Sequence, residues 1–407
     1  MPKSNIKTSK ATKKVYMDYA SSALSVSANP GAIHSLGVAE KNKLEKSRGI
    51  VAGILNAHSS EIVFTSGATE SNNLAILGLV KAVKMPHIVT TNIEHASVLE
   101  VCKHLENTKQ AEVTYVPVDA NGVVDPQKIK KALKANTILV SVMYANNEIG
   151  TIQPIKEIAK EIRHFDKINN KKIFFHTDAT QAVNYLPISI PQLGVDLMSF
   201  NSVKIYGPKG IGALYVKKNT PLTPIMFGGN QEFGLRPGTE NVSLAVELSK
   251  ALQTTENKKE KEIKRLTQLR DYFIKKLKSK NVDFVLNGDL EKRLPNNINI
   301  TIPNIPSDLL VIELSTRGIM ASTKSACKAG DGKASHVIKA IRSEIKPARN
   351  AFSIADAGEE TDGSIRFSLG RQTTKSDIDY TVKSLSEILT KLKKWYTPTP
   401  INFFDLK

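Results

Sequence analysis

Five short polar clusters carry side chains suited to chemistry, and each follows a short β-branched run: Ser66-Gly67-Ala68-Thr69, Glu94-His95, Asn146-Asn147-Glu148, Asp178 to Gln181, and Asn201 to Lys204. The first places small residues between a strand pattern and a helix pattern. Backbone N–H groups are then free where the positive end of a helix dipole attracts a phosphate. The same turn is equally the start of an ordinary capped helix. Neither G-x-x-x-x-G-K-S/T nor a G-x-G-x-x-G after the first strand is present, which argues against ATP and NAD. Asp178 and Lys204 are more informative. A carboxylate and an amine at the ends of two different strands suit a pyridinium nitrogen and a Schiff-base aldehyde, which points to pyridoxal phosphate. Taken singly, a lysine before Tyr-Gly-Pro-Lys-Gly reads as a surface residue and an aspartate at a strand end as a helix cap.

The two cysteines, Cys102 and Cys327, are far apart, so neither a disulfide framework nor a thiolate zinc site is expected. Cys327 sits in a small, polar segment between Lys324 and Lys328, charges that favour its thiolate. Cys102, within Val98-Leu99-Glu100-Val101-Cys102, reads as a core residue of a helix. The histidines show no ligand spacing on a helix, so no metal is expected.

The clusters need a scaffold that brings them together. From Glu61 to Val216, strand patterns at 62–65, 87–91, 112–118, 137–143, 172–176, 195–200 and 213–216 alternate with helical stretches such as 70–84, capped by Thr69, and 154–167. That alternation predicts an α/β fold around a mostly parallel sheet of seven strands, with all five clusters on its carboxyl edge, where open sheets bind ligands. A charged helix over 256–280, with Ile263, Leu266, Leu269, Phe273 and Leu277 on one stripe, leads into a smaller α+β domain with a strand at 297–302 and a helix at 307–317. The expected division is a disordered basic tail over 1–14, a large domain over 15–258 and a small C-terminal domain over 259–407 carrying the Cys327 segment.

The 407-residue chain, 41% hydrophobic, is long enough for two domains. No apolar run approaches a membrane span and no signal-peptide core stands at the N-terminus, so a cytoplasmic protein without membrane contact is expected. The formal charge of +18 raises the question of polyanion binding, but the lysines are dispersed and read as a solvated surface, not a nucleic-acid site.

The ordered segments EIVFTSGATESNNLAI (61–76), IEHASVLE (93–100), ILVSVMYANNEIGTIQPI (138–155), HTDATQAV (176–183), KIYGPKGIGALYV (204–216), GLRPGTENV (234–242), LPNNINI (294–300), SAC (325–327) and SIRFSLGRQTT (364–374) resemble the cysteine desulfurases of the NifS/IscS branch, within the class-V, fold-type-I pyridoxal-phosphate enzymes. The resemblance runs from about Tyr16 to Thr374. It implies that Lys204 forms the Schiff base and moves protons at the substrate Cα, and that His95 stacks on the cofactor ring. Asp178 would pair with the ring nitrogen, Gln181 and Asn147 would contact the 3-oxygen, and Ala68 and Thr69 would hold the phosphate. It further implies that Thr239 reaches the phosphate of a neighbouring subunit in a homodimer, and that Arg366, beside Asn147, binds the substrate carboxylate. Cys327 would take the sulfur of L-cysteine as a persulfide, release L-alanine, and pass the sulfur to an iron–sulfur scaffold protein or a tRNA-thiolation enzyme.

The chain departs from that family at several points. A Ser-x-His-Lys that holds the phosphate is here Asn201-Ser202-Val203-Lys204, leaving Asn201 or Ser202 as the phosphate donor. A hydrogen bond to a charged group contributes about 1.5–3 kcal/mol, so losing one weakens cofactor retention roughly tenfold or more. The N-terminal Asp18-Tyr19-Ala20-Ser21-Ser22-Ala23 lacks the helix that normally follows, Lys324 replaces a glycine, and residues 342–363 are longer than usual. Two other readings therefore stand beside the desulfurase: another class-V reaction, such as selenocysteine lyase or aminotransferase, and a non-catalytic paralogue serving as a binding platform or sulfur relay.

Overall fold

The computed structural model describes residues 17, 18, 20–22, 27–323, 335–343 and 363–396, so the expected basic tail and Cys327 both lie outside the described residues. The first helix, α1 (Ser35–Leu55), begins where His34 accepts the Gly37 N–H and ends where Asn56 turns left-handed. Sequence patterning shows no helix here because the buried face of α1 includes Glu40, Ser47 and Arg48, which interrupt the apolar period.

From β1 (Ile62–Thr65) the chain alternates through α2 (Ala68–Val80), β2 (His87–Thr91), α3 (Ala96–Asn107), β3 (Glu112–Val116), α4 (Pro126–Ala132), β4 (Thr137–Ser141), α5 (Ile155–Asn169), β5 (Phe174–Asp178), the single turn α6 (Ile190–Leu193) and β6 (Leu197–Asn201). A short 3-10 turn, Ser202–Ile205, precedes β7 (Gly212–Val216). The seven strands form one sheet in the order β1-β7-β6-β5-β4-β2-β3. Strands β6 to β3 are mutually parallel, and β7 runs antiparallel to both β6 and β1. The mostly parallel seven-stranded sheet matches the expectation. Strands β1, β2 and β7 are buried at every position, which is why they read as unbroken runs, as strands covered on both faces do. In α5 the stripe Ile155, Ile158 and Ile162 faces the core, and Asn170 ends the helix in a left-handed conformation. Helix α2 departs from expectation in one detail: its N-cap is Gly67 with no capping side chain, and Thr69 stands in the first turn.

Helix α7 (Val242–Ser279) starts well before the expected residue 256, at an Asn241 side chain that accepts the Leu244 N–H. Its first half buries Ala245, Leu248 and Leu252, its second half Leu266, Phe273 and Leu277, and the expected boundary at residue 258 falls mid-helix. Beyond it, β8 (Val285–Leu286), β9 (Asn297–Thr301), α8 (Ser307–Ser315), α9 (His336–Arg342), β10 (Ser364–Ser368) and α10 (Lys375–Tyr396) build a second layer around an antiparallel sheet in the order β10-β9-β8. Helix α10 packs on α7 and α8. No described helix is long and apolar enough to cross a membrane.

Two histidines brace the large sheet from within. His87 Nδ1 and Nε2 lie 2.8 Å from the hydroxyls of Thr137 and Thr114, and those of His176 lie 2.9 Å from Ser141 and Ser199. Both rings are fully buried, and desolvation pushes each down to about 4. An unfolded histidine takes up its proton near pH ~6.5, so the stability these groups supply is complete above that value and drains away as pH falls from there towards 4. Unfolding free energies from urea titrations across this range should fall more steeply for the wild type than for His176→Gln, by up to about 3 kcal/mol at the acid end.

Candidate active site

Backbone geometry first brings the phosphate turn to the lysine turn. Gly212 opens β7 and pairs with Thr65 of β1 on one side and Asn201 of β6 on the other. A Cβ on Gly212 would lie 2.7 Å from the Gly67 Cα and 2.7 Å from the Phe200 carbonyl oxygen, so only glycine lets the first turn of α2 close on the end of β6. That helix end has no capping side chain, so its first-turn N–H groups are available to an anion at Ala68 and Thr69. Asn201 Oδ1 accepts the Val203 N–H at 3.2 Å, and Asn201 Nδ2 lies 3.7 Å from where a Cβ on Gly67 would stand. The Asn201 amide therefore caps the lysine turn with its oxygen and offers its nitrogen to the phosphate turn. Ser202 does not join it: its buried hydroxyl occupies the space a side chain on Gly207 would need, beside Ala251 of α7, and has no hydrogen-bond partner among the described residues. Of the two expected phosphate donors in this turn, the geometry favours Asn201. The Lys204 side chain is exposed, and Asn184 Nδ2 donates to the Lys204 carbonyl.

Asp178 ends β5, adjacent to β6, and is only 6% exposed. Its Oδ1 accepts the Thr180 N–H at 2.9 Å and its Oδ2 accepts from Asn72 Nδ2 at 2.8 Å. His95, half-buried, caps α3 by accepting the Ser97 N–H at 3.1 Å. Next to it Glu94 is fully buried; desolvation, reinforced by the Asp178 charge, pushes it up to about 8 against hydrogen bonds from Thr91 and the Met143 N–H. Cys102 is buried in α3, and desolvation pushes its thiol up to about 12, in keeping with the core reading.

Arg366 approaches from the second sheet. It lies on β10, donates from a terminal nitrogen to the Asn147 carbonyl at 2.9 Å, and carries a buried Nε with no hydrogen-bond partner among the described residues. Burial holds its guanidinium below the ordinary arginine range, and the nearby Glu148 charge opposes that shift. Asn297 and Asn299 of β9 donate to the Glu148 carbonyl at 3.0 and 3.1 Å, fixing the Asn147 loop to the small sheet. Gln181 is half-buried in the turn after Asp178. Thr239 is exposed, at the end of a loop anchored where Arg48 grips Glu232 through two bonds of 2.6 and 2.8 Å. Cys327 lies outside the described residues, but both flanks of its segment reach this site: Ser322 exchanges backbone hydrogen bonds with Arg366, and Ser335 Oγ donates to Glu148 at 2.5 Å.

The class-V aminotransferase family model matches residues 5–381 of this chain. The chain belongs to that family. Within it, the IscS cysteine desulfurase of Dictyoglomus turgidum is 44% identical over 367 residues, spanning 90% of this chain and 88% of that protein. The IscS of Methanosarcina thermophila is 41% identical, spanning 93% and 89%. A solved NifS-like protein superposes with a TM-score of 0.79 at 35% identity, spanning 90% of this chain and 92% of that one, and a structure of SspA in complex with cysteine with 0.67 at 34%, spanning 84% and 90%. The chain is thus a class-V enzyme of the cysteine desulfurase branch.

For such an enzyme the contact at Gly212 has a direct consequence. Gly212→Ala must displace Gly67 or Phe200, because both obstacles are backbone. The variant should fold, since one methyl overpacks a strand end at a cost of about 1–3 kcal/mol. It should hold pyridoxal phosphate at least about tenfold more weakly, as measured by equilibrium titration of the apoprotein.

Proposed function

We propose that this chain is a pyridoxal-phosphate-dependent cysteine desulfurase that converts L-cysteine to L-alanine and keeps the removed sulfur as a persulfide on Cys327. The observation that carries the reading is the meeting of two half-sites. The uncapped start of α2, Asn201, Asp178 and Lys204 come from the edge of the large sheet, and a half-buried Arg366, whose buried Nε has no partner among the described residues, comes from the small one. A half-buried guanidinium beside the Asn147 carbonyl, with no ion pair among the described residues, fits the carboxylate of an amino-acid substrate.

The residues fit the cofactor at each of its recognition points. Ala68, Thr69 and the Asn201 amide would hold the phosphate, Asp178 the ring nitrogen and Lys204 the aldehyde; His95 would lie on the ring, with Gln181 and Asn147 at the 3-oxygen. Bound there, pyridoxal phosphate supplies an electron sink for the substrate carbon. The protein does the rest. Arg366 orients the substrate, the Lys204 amine moves a proton at Cα, and the Cys327 thiolate attacks the substrate sulfur. One S–S bond forms as one C–S bond breaks, the carbon gains a proton, and neither oxidant nor reductant is consumed. Thr239 from a second copy completes the phosphate site in a homodimer, and the persulfide passes to an iron–sulfur scaffold protein or another sulfur acceptor. A cytoplasmic location belongs to the same reading, because a free reactive thiol persists in a reducing compartment.

Purified protein supplied with pyridoxal phosphate, L-cysteine and a thiol reductant should release sulfide and alanine in equal amounts. Lys204→Ala should abolish both products, and Cys327→Ser should stop them while leaving the bound cofactor's absorption in place. Sulfide release by Cys327→Ser at the wild-type rate would remove Cys327 as the acceptor. Activity on selenocysteine but not cysteine would favour the lyase, and a protein that neither binds the cofactor nor forms product would be the non-catalytic paralogue.

A further inference from the structure

Asn72 and Ser97 form a bridge between the two groups expected to flank the cofactor ring. Asn72, on the inner face of α2, is fully buried. Its Nδ2 spends one hydrogen on Asp178 Oδ2 at 2.8 Å and the other on Ser97 Oγ at 2.8 Å. The reverse placement of the amide would set Oδ1 against the Asp178 carboxylate. Ser97 Oγ, accepting from Asn72, has its own hydrogen left for His95 Nδ1, 2.8 Å away. The Ser97 backbone N–H lies 3.1 Å from the same nitrogen, and a backbone N–H can only donate. Two donors therefore face Nδ1, which must present its lone pair to them, and the hydrogen of the neutral ring sits on Nε2. No protein partner is recorded for Nε2 among the described residues.

We infer that Asn72 and Ser97 are positioning residues that orient the Asp178 carboxylate and lock His95 as the Nε2–H tautomer, so that His95 serves this site as a hydrogen-bond donor and not as a base. A base needs a lone pair directed at the substrate, and the lone pair of His95 is held by Ser97 on the opposite side of the ring. Proton traffic at Cα then falls to Lys204. The inference rests on the pyridoxal-phosphate reading of the site but not on the sulfur chemistry. It also assigns a role to two buried polar residues that the sequence patterning does not single out.

Two measurements test it, and neither depends on desulfurase turnover. In the apoprotein labelled with 15N-histidine, the resonances lost in His95→Gln should report a protonated Nε2 and an unprotonated Nδ1 near neutral pH. Ser97→Ala should raise the Nδ1–H fraction, and adding Asn72→Leu to it should change little more, since Asn72 acts on the ring through Ser97. A protonated Nδ1 in the wild type, or additive effects of the two substitutions, would overturn the lock. In the holoenzyme, exchange of the Cα hydrogen of L-alanine with solvent deuterium should stop in Lys204→Ala. It should stay within about tenfold of wild type in His95→Gln, which keeps a donor but no base, whereas loss of a true base costs about 100-fold or more. Exchange that disappears in His95→Gln yet survives in Lys204→Ala would make His95 the base and end the proposal. Equal sulfide and alanine yields remain a separate check on the desulfurase reading.

Discussion

The site depends on two backbones touching. At Gly212 three strands and the start of α2 meet in a space with no room for a methyl group, and that contact puts a helix N-terminus beside the turn that carries Lys204. Parallel strands deliver Asp178 and Asn201 to the same edge by register alone, but register does not bring the β1–α2 turn within reach of them, because β1 is separated from β6 by an antiparallel β7. A close approach between main chains is rigid in a way that side-chain contacts are not, so the position of the turn at Gly67–Thr69 is set by the sheet.

Around this frame the buried polar groups are unusually interdependent. Asp178 is held by Asn72 and Thr180, Asn72 by Ser97, and Ser97 by His95, while Glu94 lies close enough to Asp178 to share its field. Each group satisfies the next, and removing one strands another in a medium where an unpaired donor is costly. The second sheet joins by the same means. Asn297 and Asn299 grip the Glu148 carbonyl, and Arg366 grips that of Asn147, so the arginine proposed to bind the substrate and the loop it leans on are parts of one hydrogen-bonded unit.

What the sequence discloses and what it hides follow from these distances. Strands covered on both faces read as apolar runs, and chemistry at their carboxyl ends reads as polar punctuation, so the sheet and the clusters at Ala68, His95, Asn147, Asp178 and Lys204 were legible. Helix α1 was not, because its buried face carries Arg48 and Glu40, and Arg48 is paid for by Glu232, a partner far away in the chain. Asn72 and Ser97 are hidden for the same reason: their meaning lies in a contact between two helices, and the local hint is a polar residue where α2 should be apolar. The choice between Asn201 and Ser202 turned on the phase of a single 3-10 turn, a detail below the resolution of any residue pattern. The start of α7 is hidden in the sequence because its first half is packed against other elements and shows no charged stripe.

Helix α7 also bears on how the molecule comes apart. At about 1.5 Å per residue, its 38 residues form a rod some ~57 Å long. One end is packed into the surroundings of the large sheet and the other into those of the small one. Neither sheet can shed its share of that rod without fraying a helix the other still needs, so the two halves of the site are mechanically tied through one rigid element.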